Sequence, residues 1–341
     1  MTTVIATIFV FGLLVFVHEL GHFLTAKAVG MRVEEFALGF GKKIVGVQKG
    51  ETLYSLRMIP LGGFNKISGM DPEEEQDERS YSSKPLWARM LVITAGSIMN
   101  FILPVILFFI VLMSAGISTP SNEPILGELI ESKPAVVAGL EVGDRIVEVD
   151  GKLVQDWNGV VEALKDAKQQ EIEIAFMRDG VLDATIVTAE WEPNTKRYLI
   201  GVLPIIDHRY LDAPEAFWIA IEQTGDVIER MITGLMQMIT GQVKAEVSGP
   251  LGVAQMAGEV ASLGILPLLK FAAFLSINLG IINLLPVPAL DGGHVVTLII
   301  EGVRGKALSA KKIHAIQLVG FVLLMGLLIF TTVKDIARFN L

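Results

Sequence analysis

The sequence predicts an α-helical membrane protein with about four transmembrane segments and one inserted α+β module. Three observations lead there. Hydrophobic residues make up 52% of the 341 and charged residues only 19%, with a mean hydropathy of +0.55, a balance unusual for a water-soluble domain. Four stretches, about 2–26, 88–115, 263–290 and 313–333, are long and apolar enough to cross or enter a bilayer, given that a crossing needs roughly 20 such residues. The net charge of −9 is concentrated, because residues 117–212 hold 18 acidic and 9 basic side chains and the remainder sums to about zero. Nothing resembles the basic patch that nucleic-acid binding requires. With no cysteine there are no disulfides, so any zinc must be held by histidine nitrogen and carboxylate oxygen.

The first segment, 1–30, contains "VFVHELGHFL". On a helix, residues i and i+4 share a face, so His18 and His22 can grip one metal while Glu19 reaches water as a general base. The bland alternative is a pair of core histidines with an incidental glutamate. It is weakened by the surroundings, since three ionisable groups inside a span cost several kcal/mol and are functional by default. A signal peptide ending at Ala26-Lys27-Ala28 fits the cleavage pattern, but no basic residue precedes Lys27 and cleavage would discard the motif.

Residues 31–70 lack helical periodicity and read as short strands punctuated by glycine, with a turn at Gly62-Gly63. An acidic linker, 71–87, leads to the second span, 88–116. The module, 117–205, combines glycine-bearing turns, alternating strands such as "EIEIAFMRDG" and the helical "NGVVEALKDA". In 206–262, apolar residues recur at helical spacing between Ala213 and Thr240, with Glu222, Asp226, Glu229 and Arg230 interspersed. This reads as a helix lying at the membrane interface. A third membrane segment, 263–303, and a fourth with its tail, 304–341, complete the chain.

Orientation follows from Lys and Arg. Ten lie in residues 27–89, and the turn between the last two spans carries Arg304, Lys306, Lys311 and Lys312. Both connections should be cytosolic and the module extracytoplasmic, although Lys334 and Arg338 mildly oppose this. A helix entering from outside near Thr2 puts His18 and His22 roughly 24–30 Å along it, near the cytosolic face.

Catalytic zinc usually takes a third protein ligand and keeps one position open. The late stretch "NLLPVPALDGGH" offers Asp291 and His294, and Pro286 and Pro288 break its helix. A broken helix is tolerated in a membrane only where it lines protein or a water cavity. Composition alone does not choose between the two.

Taken together, "HELGH", "NLLPVPALDGGH" and an inserted "AGLEVGDRIVEVDG" resemble the bacterial site-2 proteases, intramembrane zinc metalloproteases of the regulator-of-sigma-E-protease type. The resemblance covers nearly the whole chain. "IPLGGFNKISGMD" looks like the family's membrane re-entrant β-loop, "AGSIMNF" like its second-span motif and "SGPLGVAQMAG" like its G-P-x-G segment; Ser97 stands where the family usually has proline. The module resembles a single PDZ domain. The resemblance implies Zn2+ on His18, His22 and Asp291, with Glu19 as catalytic base and His294 no ligand. It also implies cleavage of pre-trimmed single-span membrane proteins within the lipid bilayer of the cell inner (cytoplasmic) membrane, after an upstream site-1 protease; anti-sigma factors and remnant signal peptides are the suited substrates.

Substrate contact is expected at Asn283 and Asn278, whose amides stand in an apolar segment, and along Tyr54–Ile59, where Tyr54, Leu56 and Met58 would serve a strand edge. The module would act as a size filter. A catalytically silent adaptor presenting the module is the alternative, and it has no need of three ligands and a base. A zinc transporter should show polar groups along a whole pathway rather than one cluster.

Overall fold

A computed structural model describes residues 2–71, 76–165, 171–192, 197–243 and 248–339. The chain divides into two compact units, Met1–Ser114 with Asp212–Leu341, and Ala115–Leu211.

In the first unit, α1 (Thr2–Ala28) is followed by β1 (Val33–Lys49), β2 (Thr52–Ile67) and α2 (Leu86–Ala115). The long strands are each used twice. Lys43–Lys49 pairs with Thr52–Arg57 around a turn at Gly50-Glu51, while Phe36 lies opposite both Tyr54 and Asn65. Gly39 and Gly62, both at positive φ, mark where the strands change partner. The result is a curled sheet of four short segments in the order 43–49, 52–57, 33–40, 63–67. Phe40, Ile44, Val45, Val47, Met58 and Ile59 are exposed on it, a surface suited to lipid and not to water. Its other side packs on α1 through Phe16, Phe23, Phe36 and Tyr54.

This register corrects one expectation. Residues 52–57 are flanked on both sides, so Tyr54 and Leu56 do not stand on a free edge; Tyr54 instead packs its ring 5.8 Å from Phe23. Met58, 60% exposed, lies just past the last pair on that segment, Lys43 with Arg57. Among the described residues, the outermost segments of this sheet are 43–49 and 63–67.

The second unit holds β3 (Ile117–Pro120), β4 (Leu126–Leu129), α3 (Pro134–Val137), β5 (Arg145–Val149), β6 (Lys152–Leu153), α4 (Trp157–Lys165), β7 (Glu171–Arg178) and β8 (Val181–Thr188). The short strands β9 (Glu190–Glu192), β10 (Arg197–Leu199), β11 (Val202–Pro204) and β12 (Ile206–Arg209) complete it. The main sheet runs β6-β5-β7-β8. Its alternation buries Ile172, Ile174 and Phe176 with Leu126, Ile146, Val149 and Val160 in one apolar core. The unit is entered and left through a two-stranded stem, β3 against β12, with Ile117 opposite Arg209.

The first unit resumes with α5 (Ala213–Ile239), α6 (Pro250–Ser262), α7 (Ile265–Leu284), α8 (Asp291–Arg304) and α9 (Ala310–Phe339). Asp212 caps α5 through the Glu215 amide. Among the described residues four helices are long and apolar enough to cross a membrane, α1, α2, α7 and α9; the charged residues inside α5 keep it out of that set. The break between α7 and α8 falls at Leu285–Leu290, where both prolines lie. Asp335 in α9, 3% exposed, accepts the amides of Gly249 and Gly252 at the start of α6.

Candidate metal centre

Three ligand-type atoms converge inside the first unit. His18 Nε2 and His22 Nε2 are 3.1 Å apart, and Asp291 Oδ2 lies 3.4 and 3.5 Å from them. A tetrahedral zinc with bonds of about 2.0–2.1 Å sets its ligand atoms roughly 3.3–3.4 Å apart. The triangle has that size. Asp291 Oδ2 is also buried with no hydrogen-bond partner, a costly condition for a carboxylate oxygen unless a cation satisfies it. An all-nitrogen-and-oxygen donor set with a buried, unpartnered oxygen fits zinc.

Each ligand is positioned by its own element. One turn of α1 puts both imidazoles on the face toward α2. Gly96 makes room for them, since a Cβ there would lie 2.7 Å from His18 Cε1 and collide with His22 Nε2. His22 Nδ1 donates to the Val92 carbonyl at 2.8 Å, which leaves Nε2 unprotonated for a metal. The Asn100 amide lies 3.1 Å from His18 Nδ1, and Asn100 Oδ1 is buried without a partner. Turning that amide over makes Oδ1 the acceptor for an Nδ1–H, the tautomer required when Nε2 holds a metal. Ser276 on α7 donates to the Asn100 carbonyl at 2.8 Å, tying the third span to the second.

Asp291 arrives from the helix break. It is the first residue of α8, where a carboxylate is favoured by the helix dipole. The approach is tight, because a Cβ on Gly293 would lie 2.9 Å from Pro288 Cα and 2.9 Å from the Val287 carbonyl carbon. Ala289, at φ +72, takes the left-handed conformation two residues before the carboxylate. Such a conformation costs a non-glycine residue about 1–2 kcal/mol.

Glu19 sits beside the triad on α1. Asn65 Nδ2 donates to Glu19 Oε2 and to the Glu19 main-chain oxygen, both at 2.7 Å. Asn65 belongs to the outer segment 63–67, so the base candidate lies beside the margin of the sheet. His294 lies one turn further along α8 and is not among the three convergent ligand residues. Asn283 is buried and Asn278 half-buried on α7; among the described residues neither bonds to the triad side chains or to Glu19. Sequence reasoning passed over Asn65, Asn100 and the Val92 carbonyl. Asn100 was detectable as an amide inside an apolar span, whereas a main-chain acceptor leaves no sequence signal.

A family model described as peptidase family M50 matches residues 6–327. The regulator of sigma-W protease RasP of Bacillus subtilis is 34% identical over 417 aligned positions, covering 98% of each chain. The zinc metalloprotease RasP of Bacillus licheniformis is 33% identical, covering 99% of each. A solved PDZ domain of the SdrC-like protein from Listeria innocua aligns at 20% identity over 26% of this chain and 100% of that one, with a TM-score of 0.23. The full-length relatives, the family match and the four apolar helices agree: the chain is a multi-pass membrane zinc metalloprotease and belongs to peptidase family M50.

Proposed function

We propose that His18, His22 and Asp291 hold the zinc and that Glu19 is the catalytic base in cleavage of membrane-embedded peptide segments. The observation that carries this reading is the 3.1–3.5 Å triangle of donor atoms with its unpartnered Asp291 oxygen. Bound there, zinc supplies Lewis acidity toward the scissile carbonyl and toward water. The chain's own groups do the rest. Val92 and Asn100 fix the imidazole tautomers, and Asn65 holds one Glu19 oxygen so that the other is free to take a proton from the attacking water and deliver it to the leaving amine.

A helical substrate hides its scissile amide in internal hydrogen bonds and must be unwound. The outer segment that carries Gly63, Phe64 and Asn65, beside Glu19, suits an extended substrate segment added as a further strand, and it replaces the edge expected along Tyr54–Ile59. Asn283 and Asn278 are proposed as amide contacts from the α7 side. The lysine and arginine distribution supports a cytosolic placement of the metal centre and an extracytoplasmic, PDZ-like module that filters substrates by size in the inner membrane. The RasP name links that relative to control of sigma-W. By analogy, the substrates proposed here are single-span anti-sigma factors and remnant signal peptides, trimmed first by a site-1 protease.

The test is cleavage of single-span substrates by detergent-purified protein, wild type beside Glu19→Gln, with zinc content measured on both. Glu19→Gln should keep zinc and lose on the order of a thousandfold in rate. Full activity in that variant would remove Glu19 from the mechanism. Bound zinc with no cleavage by wild type would favour the adaptor.

A further inference from the structure

The third ligand is carried by a helix whose far end is held by an ion pair. Arg89, near the start of α2, donates Nη1 to Glu301 Oε2 at 3.1 Å and Nη2 to Glu301 Oε1 at 2.5 Å. The side chains are 12% and 20% exposed. Arg89 is itself held in place, with Nε donating to the Lys84 carbonyl at 3.1 Å and its guanidinium 5.9 Å from the centre of the buried Tyr81 ring. Glu301 and Asp291 belong to one unbroken helix, ten residues or about 15 Å apart along its axis. Between them Leu298, 5% exposed, packs into the cluster of Phe23, Ala88 and Val92.

Besides the packing of Leu298, the attachments nearest Asp291 are local. Gly292 and Gly293 fit against main chain of residues 284–288, so they fix the carboxylate relative to the α7 break, which is tied to α2 through the separate Ser276–Asn100 bond a further eight residues back along α7. The histidines take their orientation from α2, through Val92 and Asn100. Arg89 is three residues before Val92 on that helix. One side therefore has two imidazoles referred to α2, and the other has an α8 referred to α2 by a forked, largely buried pair.

We infer that Arg89 and Glu301 are positioning residues that set the register of α8 on α2 and so bring Asp291 to the two histidines. The inference rests on the reading of Asp291 as a zinc ligand. A fork-to-fork arginine–carboxylate pair fixes both distance and plane, which lysine, a point charge on a flexible stem, does not. The pair is thus a geometric requirement and not only a charge requirement.

The experiment measures the zinc dissociation constant of the detergent-purified full chain by chelator competition, alongside the melting temperature of the zinc-free protein. Glu301→Gln and Arg89→Lys should each weaken zinc binding about tenfold, the scale found when a partner supporting a ligand is lost. The double exchange Arg89→Glu with Glu301→Arg should bind zinc more tightly than either Arg89→Glu or Glu301→Arg alone. Leu112→Ala, buried in α2 away from the ligands, should lower the melting temperature without changing zinc affinity. A positioning role is overturned if Glu301→Gln and Arg89→Lys lower only the melting temperature, or if the exchange restores nothing. Asp291→Ala separates the two readings. If it binds zinc as wild type does, the ligand assignment has failed; if it loses zinc while Glu301→Gln keeps wild-type affinity, the positioning role alone has failed.

Discussion

The metal-bearing unit and the inserted module solve the folding problem with different materials. The module buries a conventional core, Leu126, Ile146, Val149, Ile172, Ile174, Phe176 and Val187, and keeps most polar groups outside. Among the described residues Ser121 and Asp144 are the buried polar ones, and Asp144 is answered by Arg178 at 2.7 Å and by the Glu141 amide at 2.8 Å. In the metal-bearing unit leucine and isoleucine face outward along the spans, as with Ile98, Ile102, Ile106, Leu318 and Leu323. To buried apolar residues such as Val10, Val92 and Ile277 its interior adds a polar set, His22, Ser97, Asn100, Ser276, Asn283, Thr331 and Asp335. Lipid is as apolar as a leucine side chain, so helices there are sorted by close approach and by polar bonds. The same hydrogen bonds that assemble the helices orient the proposed metal ligands, and on that reading stability and chemistry share one set of groups.

That contrast can be broken by mutation. The largest effect should come from Ile174→Ala in the module, which removes a side chain 1% exposed and should cost about 2–5 kcal/mol of module stability. Zinc affinity should not change; a parallel loss of zinc would show that the units do not separate as described. Asn100→Ala should do the reverse. It should weaken zinc binding about 10–100-fold in a chelator titration while leaving the module's hydrogen-exchange protection as in wild type. Unchanged affinity would deny the asparagine its part in orienting His18.

The smallest effect concerns the first unit's water-exposed margin. Hydrogen bonds from Arg79 and Lys27 hold the Glu51 carboxyl at about 2, well below the ordinary 4.5. A depressed carboxyl stabilises the folded state above the ordinary value, and the contribution is lost as pH falls from about 4.5 toward 2. Glu51→Gln should therefore be less stable than wild type at pH 7, by under about 1 kcal/mol for so exposed a pair. The gap should close near pH 2. A gap that persists in acid would mean the variant disturbs the Gly50-Glu51 turn and not the ion pairs.

The sequence was most readable where one residue type carries the signal. Apolar run length marked the four spans, and the i, i+4 histidines marked the helix face on which the candidate metal centre lies. The choice between Asp291 and His294 was not available from composition, because both sit within one turn of the helix after the break. Geometry separates them, since the Asp291 oxygen reaches the histidines and is otherwise unpartnered. The strand edge was misplaced for a related reason. Alternation identifies a strand but not its neighbours, and here β1 and β2 double back so that 52–57 is enclosed while 63–67 lies outermost. The Val92 carbonyl was illegible in principle, because every residue has one.

The stem formed by β3 and β12 has an evolutionary corollary. Because the module's two ends meet in adjacent paired strands, with Gly116 against the Arg209 carbonyl, the intervening residues form a cassette. A lineage can enlarge, duplicate or exchange that cassette by recombination at the stem, since neither the zinc ligands nor the residues that orient them are encoded within it. Change inside the cassette can then proceed without change in the proposed metal centre.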